Sequence, residues 1–281
     1  MDDHLVNDED RFAPEKVRER FTDARARITA ASRAAGRPEP KLVAVTKTVP
    51  VETINFAIEN LGVTTIGENR VQELVSKYDS LASPPSGEKL SVHLIGTLQK
   101  NKVKYIIDKV DMIESVDSLS LAAEIDRQAK KHCLTMDILI EVNIGREPQK
   151  GGVMPEDVGK LICDMSSLSS LRLRGLMTVA PKCDKKEDYL KYFSEICSIF
   201  LDISRKMPHN ICMGDSVPGE TGTDSGHIDL SAIDTLSMGM SGSFEEAIAC
   251  GSTEIRLGST LFGSRPPMAP VNDPPDKADQ T

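Results

Sequence analysis

The feature that most constrains this 281-residue chain is a regular alternation of short apolar runs with longer helical patterns. The runs are rich in Val, Ile, Leu and Met, and most are apolar almost throughout. Such continuous runs are typical of parallel β-strands that are covered on both faces. The eight predicted strands are residues 42–46, 63–66, 91–95, 112–115, 137–142, 173–178, 235–237 and 254–257.

Helix signals occupy the segments around these strands. A proline near the start and a glycine just past the end are typical of helices, and Pro14 and Gly36 bracket a long amphipathic stretch in this way. Eight strand and helix units predict an α/β fold in which one parallel sheet closes into a single (β/α)8 TIM barrel. An open doubly wound sheet is the alternative.

The pattern predicts one domain, the barrel, over residues 14–265. Residues 1–13 are acidic and polar, and we expect a flexible N-terminus. Residues 207–231 are rich in Gly, Pro, Ser, Thr and Asp, which predicts a long surface insertion before the seventh strand. Residues 266–281 are rich in Pro and Asp and predict a disordered tail.

Composition excludes several classes of function. The formal net charge of -9 disfavours binding to nucleic acid, whose phosphates are also negative. No apolar run is long enough to span a bilayer, and the N-terminus lacks the pattern of a signal or transit peptide, so we expect a cytoplasmic protein. The six cysteines are scattered and predict neither a metal site nor disulfides. A monomer is expected, because no long apolar helix face stands out.

Lys47 is the most informative single residue. Ligands bind to TIM barrels at the C-terminal ends of the strands, and Lys47 ends the first predicted strand in LVAVTKTVP. Partial burial there would favour a neutral amine, which can attack an aldehyde and form a Schiff base. The alternative is an ordinary surface lysine at a strand exit.

Glycine and serine follow the last two predicted strands, in SMGMSGS and RLGSTLFG. Ser241, Gly258 and Ser259 lie in these turns, where TIM barrels often bind phosphate through backbone N–H groups and hydroxyls. Ordinary turns between strand and helix are the alternative. The first and last strands are neighbours in a closed barrel, so the turns and Lys47 could bind one small ligand. Pyridoxal 5′-phosphate (PLP) carries both a phosphate and an aldehyde.

Several longer motifs, in this order, resemble one known family. LVAVTKTVP, IGENRVQEL, HLIGTLQKNK, LRGLMTV and LSMGMSGSFEEAIACGSTEIRLGSTLFGSR are similar to the pyridoxal phosphate homeostasis proteins, the YggS/PROSC family, over about residues 14–265. The resemblance implies a barrel like the N-terminal domain of alanine racemase and a cytoplasmic, non-catalytic protein that buffers or delivers PLP. It also implies PLP-dependent apoenzymes as partners.

The same resemblance implies site residues. Lys47 matches the lysine that forms the Schiff base. The other positions that match residues lining the PLP pocket are Asn69, Ser241, Arg256, Gly258 and Ser259.

Arg256 and the tyrosines bear on what such a site could catalyse. Arg256 could donate to the ring nitrogen of PLP, which would weaken the cofactor as an electron sink. A structural ion pair with a nearby acid such as Glu254 is the alternative. Two other hypotheses remain open. A racemase would need a second base opposite Lys47, whereas all four tyrosines fall in predicted outer helices. A Schiff-base aldolase would use Lys47 without PLP.

Overall fold

The computed structural model of the chain describes residues 8–206 and 227–264. The predicted tail at 266–281 and most of the predicted insertion at 207–231 lie outside these residues, as do residues 1–7.

Eight parallel strands form one closed barrel, in which each strand pairs with the next and β1 pairs with β8. The predicted (β/α)8 architecture is confirmed, and the open sheet is excluded. The strands are β1 (Lys41–Val45), β2 (Thr65–Glu68), β3 (Ser91–Leu94), β4 (Met112–Val116), β5 (Met136–Val142), β6 (Leu171–Thr178), β7 (Thr235–Ser237) and β8 (Glu254–Leu257).

Helices cover the outside of the barrel. Those in the described residues are α1 (Asp8–Arg11), α2 (Pro14–Ala35), α3 (Val51–Leu61), α4 (Val71–Tyr78), α5 (Leu119–Lys131), α6 (Val158–Asp164), α7 (Lys186–Lys206), α8 (Phe244–Cys250) and α9 (Ser259–Phe262). Two 3₁₀ helices span Lys100–Tyr105 and Pro155–Asp157. None of the helices described is long and apolar enough to cross a membrane.

The long helix α2 follows its sequence signals closely. Pro14 occupies its first turn, where a missing N–H costs nothing. Gly36 ends it in the left-handed conformation, with φ 61°, and its N–H donates to the carbonyl of Arg33. Val17, Phe21 and Ile28 lie on the buried face of this helix. Phe21 meets Phe262 edge to face, with ring centroids 5.6 Å apart, so the first long helix packs against the last short one.

Two regions of the core differ in chemistry. The large aliphatic cluster fills the space between the strands and the helices, and each fully buried Ile or Leu there contributes about 1.5–3 kcal/mol of hydrophobic stabilisation. Inside the barrel, only a small apolar cluster of Met112, Leu139 and Met177 forms among the described residues. Much of the remaining interior is polar, and that polar interior lies behind the site described below.

The structure corrects one strand boundary of the sequence prediction. Strand β2 is Thr65–Glu68 and not residues 63–66, because Gly67 pairs with Val45 of β1, and both Gly67 and Glu68 pair with β3. The structure describes the last residues of the N-terminus that the sequence predicts to be flexible, residues 1–13. They contain α1, and the side chain of Arg11 is buried and donates from Nε to the carbonyl of Phe262 at 3.0 Å.

Candidate functional site

A cavity of about 280 Å³ lies at the C-terminal ends of the strands, on the side where β1, β2 and β8 meet. All six site residues predicted from the sequence contribute to its wall: Lys47, Asn69, Ser241, Arg256, Gly258 and Ser259. The structure therefore brings these six residues together at one cavity.

Lys47 follows the last residue of β1 in a tight turn. The N–H of Val49 donates to the carbonyl of Thr46 at 3.0 Å and closes that turn. Thr48, between them, has a positive φ of 60°. A β-branched residue rarely adopts this conformation, and such strain costs about 1–3 kcal/mol unless the surroundings hold it. The backbone beside the predicted Schiff-base lysine is therefore held in place by its surroundings.

A cluster of charged residues provides that hold from outside the barrel wall. We call Glu68, Glu73 and Lys77 the clamp. Lys77 Nζ lies 2.9 Å from the carbonyl of Thr46, 3.1 Å from Glu68 Oε1 and 2.6 Å from Glu73 Oε1. The Thr46 hydroxyl donates to Glu68, and the backbone N–H of Thr48 donates to Glu73. The clamp thus contacts the residues on both sides of Lys47.

The pKa values of the two carboxylates in the clamp are shifted in opposite directions. Burial raises the pKa of Glu68, and the nearby Lys77 only partly opposes that effect. Burial acts in the same direction on Glu73, but hydrogen bonds from Lys77 and Thr48 outweigh it and lower the pKa of Glu73. Glu73 is therefore the carboxylate that stays ionised next to the strained turn.

Asn69 contributes an unused acceptor to the cavity. Its Oδ1 atom is buried and has no hydrogen-bond partner among the described residues. The residue is held by close backbone contact with the next strand end, since a Cβ on Gly96 would lie 2.3 Å from the carbonyl oxygen of Asn69. Only glycine fits at position 96 without moving Asn69. A buried acceptor without a donor indicates a place for a ligand hydroxyl or N–H group.

Arg256 is held from below by three groups. Its side chain is only 3% exposed, and Nη1 donates to the Ser237 hydroxyl at 2.6 Å while Nη2 donates to the carbonyl of Thr178 at 2.8 Å. Its acidic partner is Glu114, with Nη1 3.8 Å from Oε2. The sequence indicated Glu254 as a possible acidic partner of Arg256, but the structure places Glu114 in that position. Arg256 is therefore both an ion-pair member and part of the cavity wall.

A buried polar path continues from Arg256 down the axis of the barrel. We call Glu114, His93 and Glu254 the axial cluster. Glu114 accepts from the Ser237 hydroxyl and lies 2.7 Å from His93 Nδ1. Lys41 completes the path at the other end of the barrel, with Nζ 3.3 Å from His93 Nε2 and 3.8 Å from Glu254 Oε2.

The axial cluster contains one carboxylate that is stabilised as an anion and one that is not. Burial opposes ionisation of Glu114, but His93 and then Arg256 and Ser237 outweigh it and lower the pKa. Burial and the neighbouring charge of Glu114 raise the pKa of Glu254 to about 7. Three possible metal ligands meet here, yet Lys41 and Arg256 already supply positive charge to them.

The glycine-rich turns after β7 and β8 lie against each other. The Ser241 hydroxyl accepts a hydrogen bond from the backbone N–H of Thr260 at 3.2 Å, which links the two turns. Gly239 has φ 93°, and a Cβ there would lie 2.5 Å from Cβ of Ala247. This glycine is therefore required by both backbone angle and space. The turns present backbone, serine hydroxyls and little bulk to the cavity.

The chain is similar to known proteins over most of its length. Residues 22–213 match the family model described as alanine racemase, N-terminal domain. A pyridoxal phosphate homeostasis protein of Aquifex aeolicus is 39% identical over 249 residues, which cover 88% of this chain and 97% of that relative. The chain belongs to the pyridoxal phosphate homeostasis protein family.

Two solved structures are similar to this member of the homeostasis family over most of its length. PipY of Synechococcus elongatus, solved with PLP bound, is 29% identical with a TM-score of 0.69, and the match covers 88% of this chain and all of PipY. A protein of unknown function from Bifidobacterium adolescentis is 31% identical with a TM-score of 0.75, covering 89% and 95% of the two chains.

Sequence reasoning missed several residues of this family member's site. Arg11 lines the cavity, but it belongs to a polar N-terminal segment that gives no signal of burial. Lys77 and Glu73 resemble an ordinary charged pair one helical turn apart. Glu114 carried a usable signal, because a carboxylate inside a strand that is predicted to be buried indicates a buried partner.

Proposed function

We propose that this protein binds PLP in the cavity through a Schiff base between Lys47 and the aldehyde of the cofactor. We further propose that it buffers PLP in the cytoplasm or delivers it to PLP-dependent apoenzymes, and that it acts as a monomer. The observation that carries the proposal is the meeting of Lys47 with the two glycine-rich turns at one cavity. The name of the curated relatives and the PLP bound to PipY support it.

The residues around the cavity fit the chemistry of PLP. Ser241, Gly258 and Ser259 would hold the phosphate through hydroxyl and backbone N–H groups. Arg256 would donate to the ring nitrogen, and the unpaired oxygen of Asn69 would accept from a ligand hydroxyl. When bound, PLP supplies an aldehyde that condenses with an amine. Arg256, permanently charged, would keep the ring nitrogen from being protonated.

The lining of the cavity supports binding over catalysis. Among the described residues, no Asp, Glu, His, Cys or Tyr lines it. A racemase needs a second base opposite the lysine, and none of the four tyrosines takes that place. Tyr78 lies at the end of α4 and Tyr105 at the end of the first 3₁₀ helix. Tyr189 and Tyr192 lie in α7. We therefore favour a homeostasis protein over a racemase-like enzyme or a Schiff-base aldolase.

Labelling of Lys47 is the direct test. Borohydride treatment of the yellow, PLP-loaded protein should fix the cofactor to Lys47, as read by peptide mass spectrometry. Lys47→Ala should remove both colour and label while the thermal unfolding of the unliganded protein stays unchanged. Lys160→Ala, at an exposed lysine on α6, is the control and should keep both. A colourless wild-type protein, or a label on another lysine, would contradict the proposal.

The phosphate contacts have their own test. Replacing Ser241 and Ser259 together by Ala removes two hydroxyl donors, which should weaken PLP binding by at least roughly tenfold. Pyridoxal, which lacks the phosphate, is the matched control ligand and should bind nearly as well as before. Equal losses for both ligands, measured by absorbance titration, would show that the phosphate lies elsewhere.

Transfer to an apoenzyme separates delivery from buffering. The loaded protein is mixed with a purified PLP-dependent apoenzyme, and recovery of that enzyme's activity is followed. Recovery that rises with the concentration of the loaded protein, beyond the rate set by release of free PLP, indicates direct delivery. Recovery at the release rate indicates buffering.

A further inference from the structure

We propose that Lys77 is a positioning residue for Lys47, acting through the strained turn at Thr48. The inference rests on the proposed function for its link to PLP, because Lys47 is the residue it would orient. Its structural part concerns the turn alone and can be tested without any ligand.

The clamp contacts the backbone on both sides of Lys47, and the Lys47 side chain lines the cavity. Lys77 donates to the carbonyl of Thr46, and Glu73 accepts from the N–H of Thr48. These two contacts fix the peptide groups before and after Lys47. A side chain at this turn can point in one direction only as long as both peptide groups keep their orientation.

The clamp is buried enough for its charges to act strongly. The side chains of Lys77 and Glu73 are 14% and 19% exposed, and that of Glu68 is 1% exposed. The Lys77 ammonium therefore donates to two carboxylates and one carbonyl in a space that solvent reaches poorly. Charge-assisted hydrogen bonds in such surroundings are about twice as strong as neutral ones. This arrangement can hold a backbone conformation that threonine alone would not adopt.

The strain at Thr48 is the independent sign of function. A turn with positive φ could be built from glycine at no steric cost, yet the chain places threonine there and holds it with buried charges. The Thr48 side chain itself is exposed, so packing of that side chain does not explain the conformation. The structure assigns the explanation to the clamp.

The first measurement needs no cofactor. In the wild-type protein, the Thr48 N–H should exchange slowly with solvent deuterium, because Glu73 accepts its hydrogen bond. Lys77→Met and Glu73→Ala should each raise exchange of this amide at least about tenfold. Glu73→Gln, which keeps an acceptor oxygen, should raise it less. Unchanged exchange in both Lys77→Met and Glu73→Ala would overturn the proposal.

The second measurement links the turn to Lys47. Lys77→Met and Glu73→Ala should each weaken PLP binding about tenfold, a loss set by the strain that is no longer held. Adding Thr48→Gly to either variant should recover most of the affinity, because glycine adopts the turn without strain. A merely structural role would not be rescued in this way. Failure of rescue in a folded double variant would overturn the proposal.

Controls separate this inference from the proposed function. Lys160→Met removes an exposed lysine that is paired with Asp164 at the same helical spacing, and it should change neither measurement. If wild-type protein binds no PLP while the exchange results hold, the proposed function fails and the clamp survives. If Lys77→Met does not fold by circular dichroism, Glu73→Ala with its Thr48→Gly partner carries the same test.

Discussion

The axial cluster and the clamp stand behind two different residues of the same cavity, and they do so in different ways. The axial cluster lies inside the barrel and ends on the Arg256 side chain, which is itself part of the cavity wall. The clamp lies outside the barrel and contacts backbone, so its effect reaches Lys47 indirectly. The axial cluster holds a side chain of the cavity wall, whereas the clamp holds the turn that carries another cavity residue, Lys47.

The difference in burial sets the size of the expected effects. Glu114 is fully buried, and removing one member of such an ion pair leaves a charge that water cannot reach. The clamp lies nearer the surface, where Lys77 and Glu73 retain some contact with solvent. Damage to the axial cluster should therefore cost stability of the whole barrel, and damage to the clamp should mainly change local conformation.

The largest effect should come from Glu114→Gln. The variant leaves Arg256 without its acidic partner, and we expect it to lower the free energy of unfolding by about 3 kcal/mol. This loss of stability is at the low end of the range for a broken buried ion pair. Without the charge of Glu114, the pKa of Glu254 falls, and an ionised Glu254 would then supply negative charge to the axial cluster. Urea unfolding measures it. Glu156→Ala, at an exposed ion pair with Arg146, should change stability by less than about 0.5 kcal/mol. Equal losses of unfolding free energy in both variants would contradict a special role of the axial cluster in stability.

A pH-dependent effect should come from Glu141, a carboxylate that belongs to neither cluster. Burial and the nearby charge of Asp117 raise the pKa of Glu141 to about 7. Because the folded pKa lies above the unfolded value, the stabilising contribution is full below about pH 4.5 and is lost as the pH rises through 7. Glu141→Gln should therefore gain stability relative to wild type between pH 5 and pH 8, by at most about 3 kcal/mol.

Urea unfolding of both proteins at several pH values checks this expectation. Parallel curves for wild type and Glu141→Gln would mean that Glu141 stays ionised throughout. Glu141 differs from Glu114 and Glu73 because, among the described residues, no cation donates a hydrogen bond to it.

The smallest effect should come from Thr48→Gly alone. Glycine removes the strain of the positive φ but adds conformational freedom to the unfolded chain, and the two changes nearly cancel. We expect a change in the free energy of unfolding of less than about 1 kcal/mol, with unaltered PLP affinity while the clamp is intact. A large loss of stability would mean that the Thr48 side chain, and not the clamp, holds the turn.

The sequence predicted the architecture better than it predicted the support of the site. Apolar runs marked all eight strands, because strands covered on both faces have few polar residues. The error in β2 has a clear cause, since Gly67 and Glu68 interrupt the apolar run while remaining in the strand. The six predicted site residues came from the family resemblance, and they line one cavity because the strand ends of a barrel converge on one face.

The clamp and Arg11 could not be found in the same way. The contacts of the clamp with Thr46 and Thr48 join α4 to the end of β1, and the contact of Arg11 with Phe262 joins residues 251 positions apart. No local pattern of charge or hydrophobicity indicates such a meeting. Only the axial cluster left a trace, because Glu114 lies inside the predicted strand at 112–115 and Glu254 begins the one at 254–257.

The pairing of β1 with β8 has a consequence for synthesis of the protein. Lys41 of β1 pairs with Glu254 of β8, so the turn carrying Lys47 is synthesised long before its counterpart at Gly258. A chain that has been synthesised only as far as β7 therefore lacks part of the cavity wall. A ligand that binds only the closed barrel, present at a hundred times its Kd, would stabilise it by about 2.7 kcal/mol. A ligand that binds only the closed barrel thus also stabilises the pairing of β1 with β8.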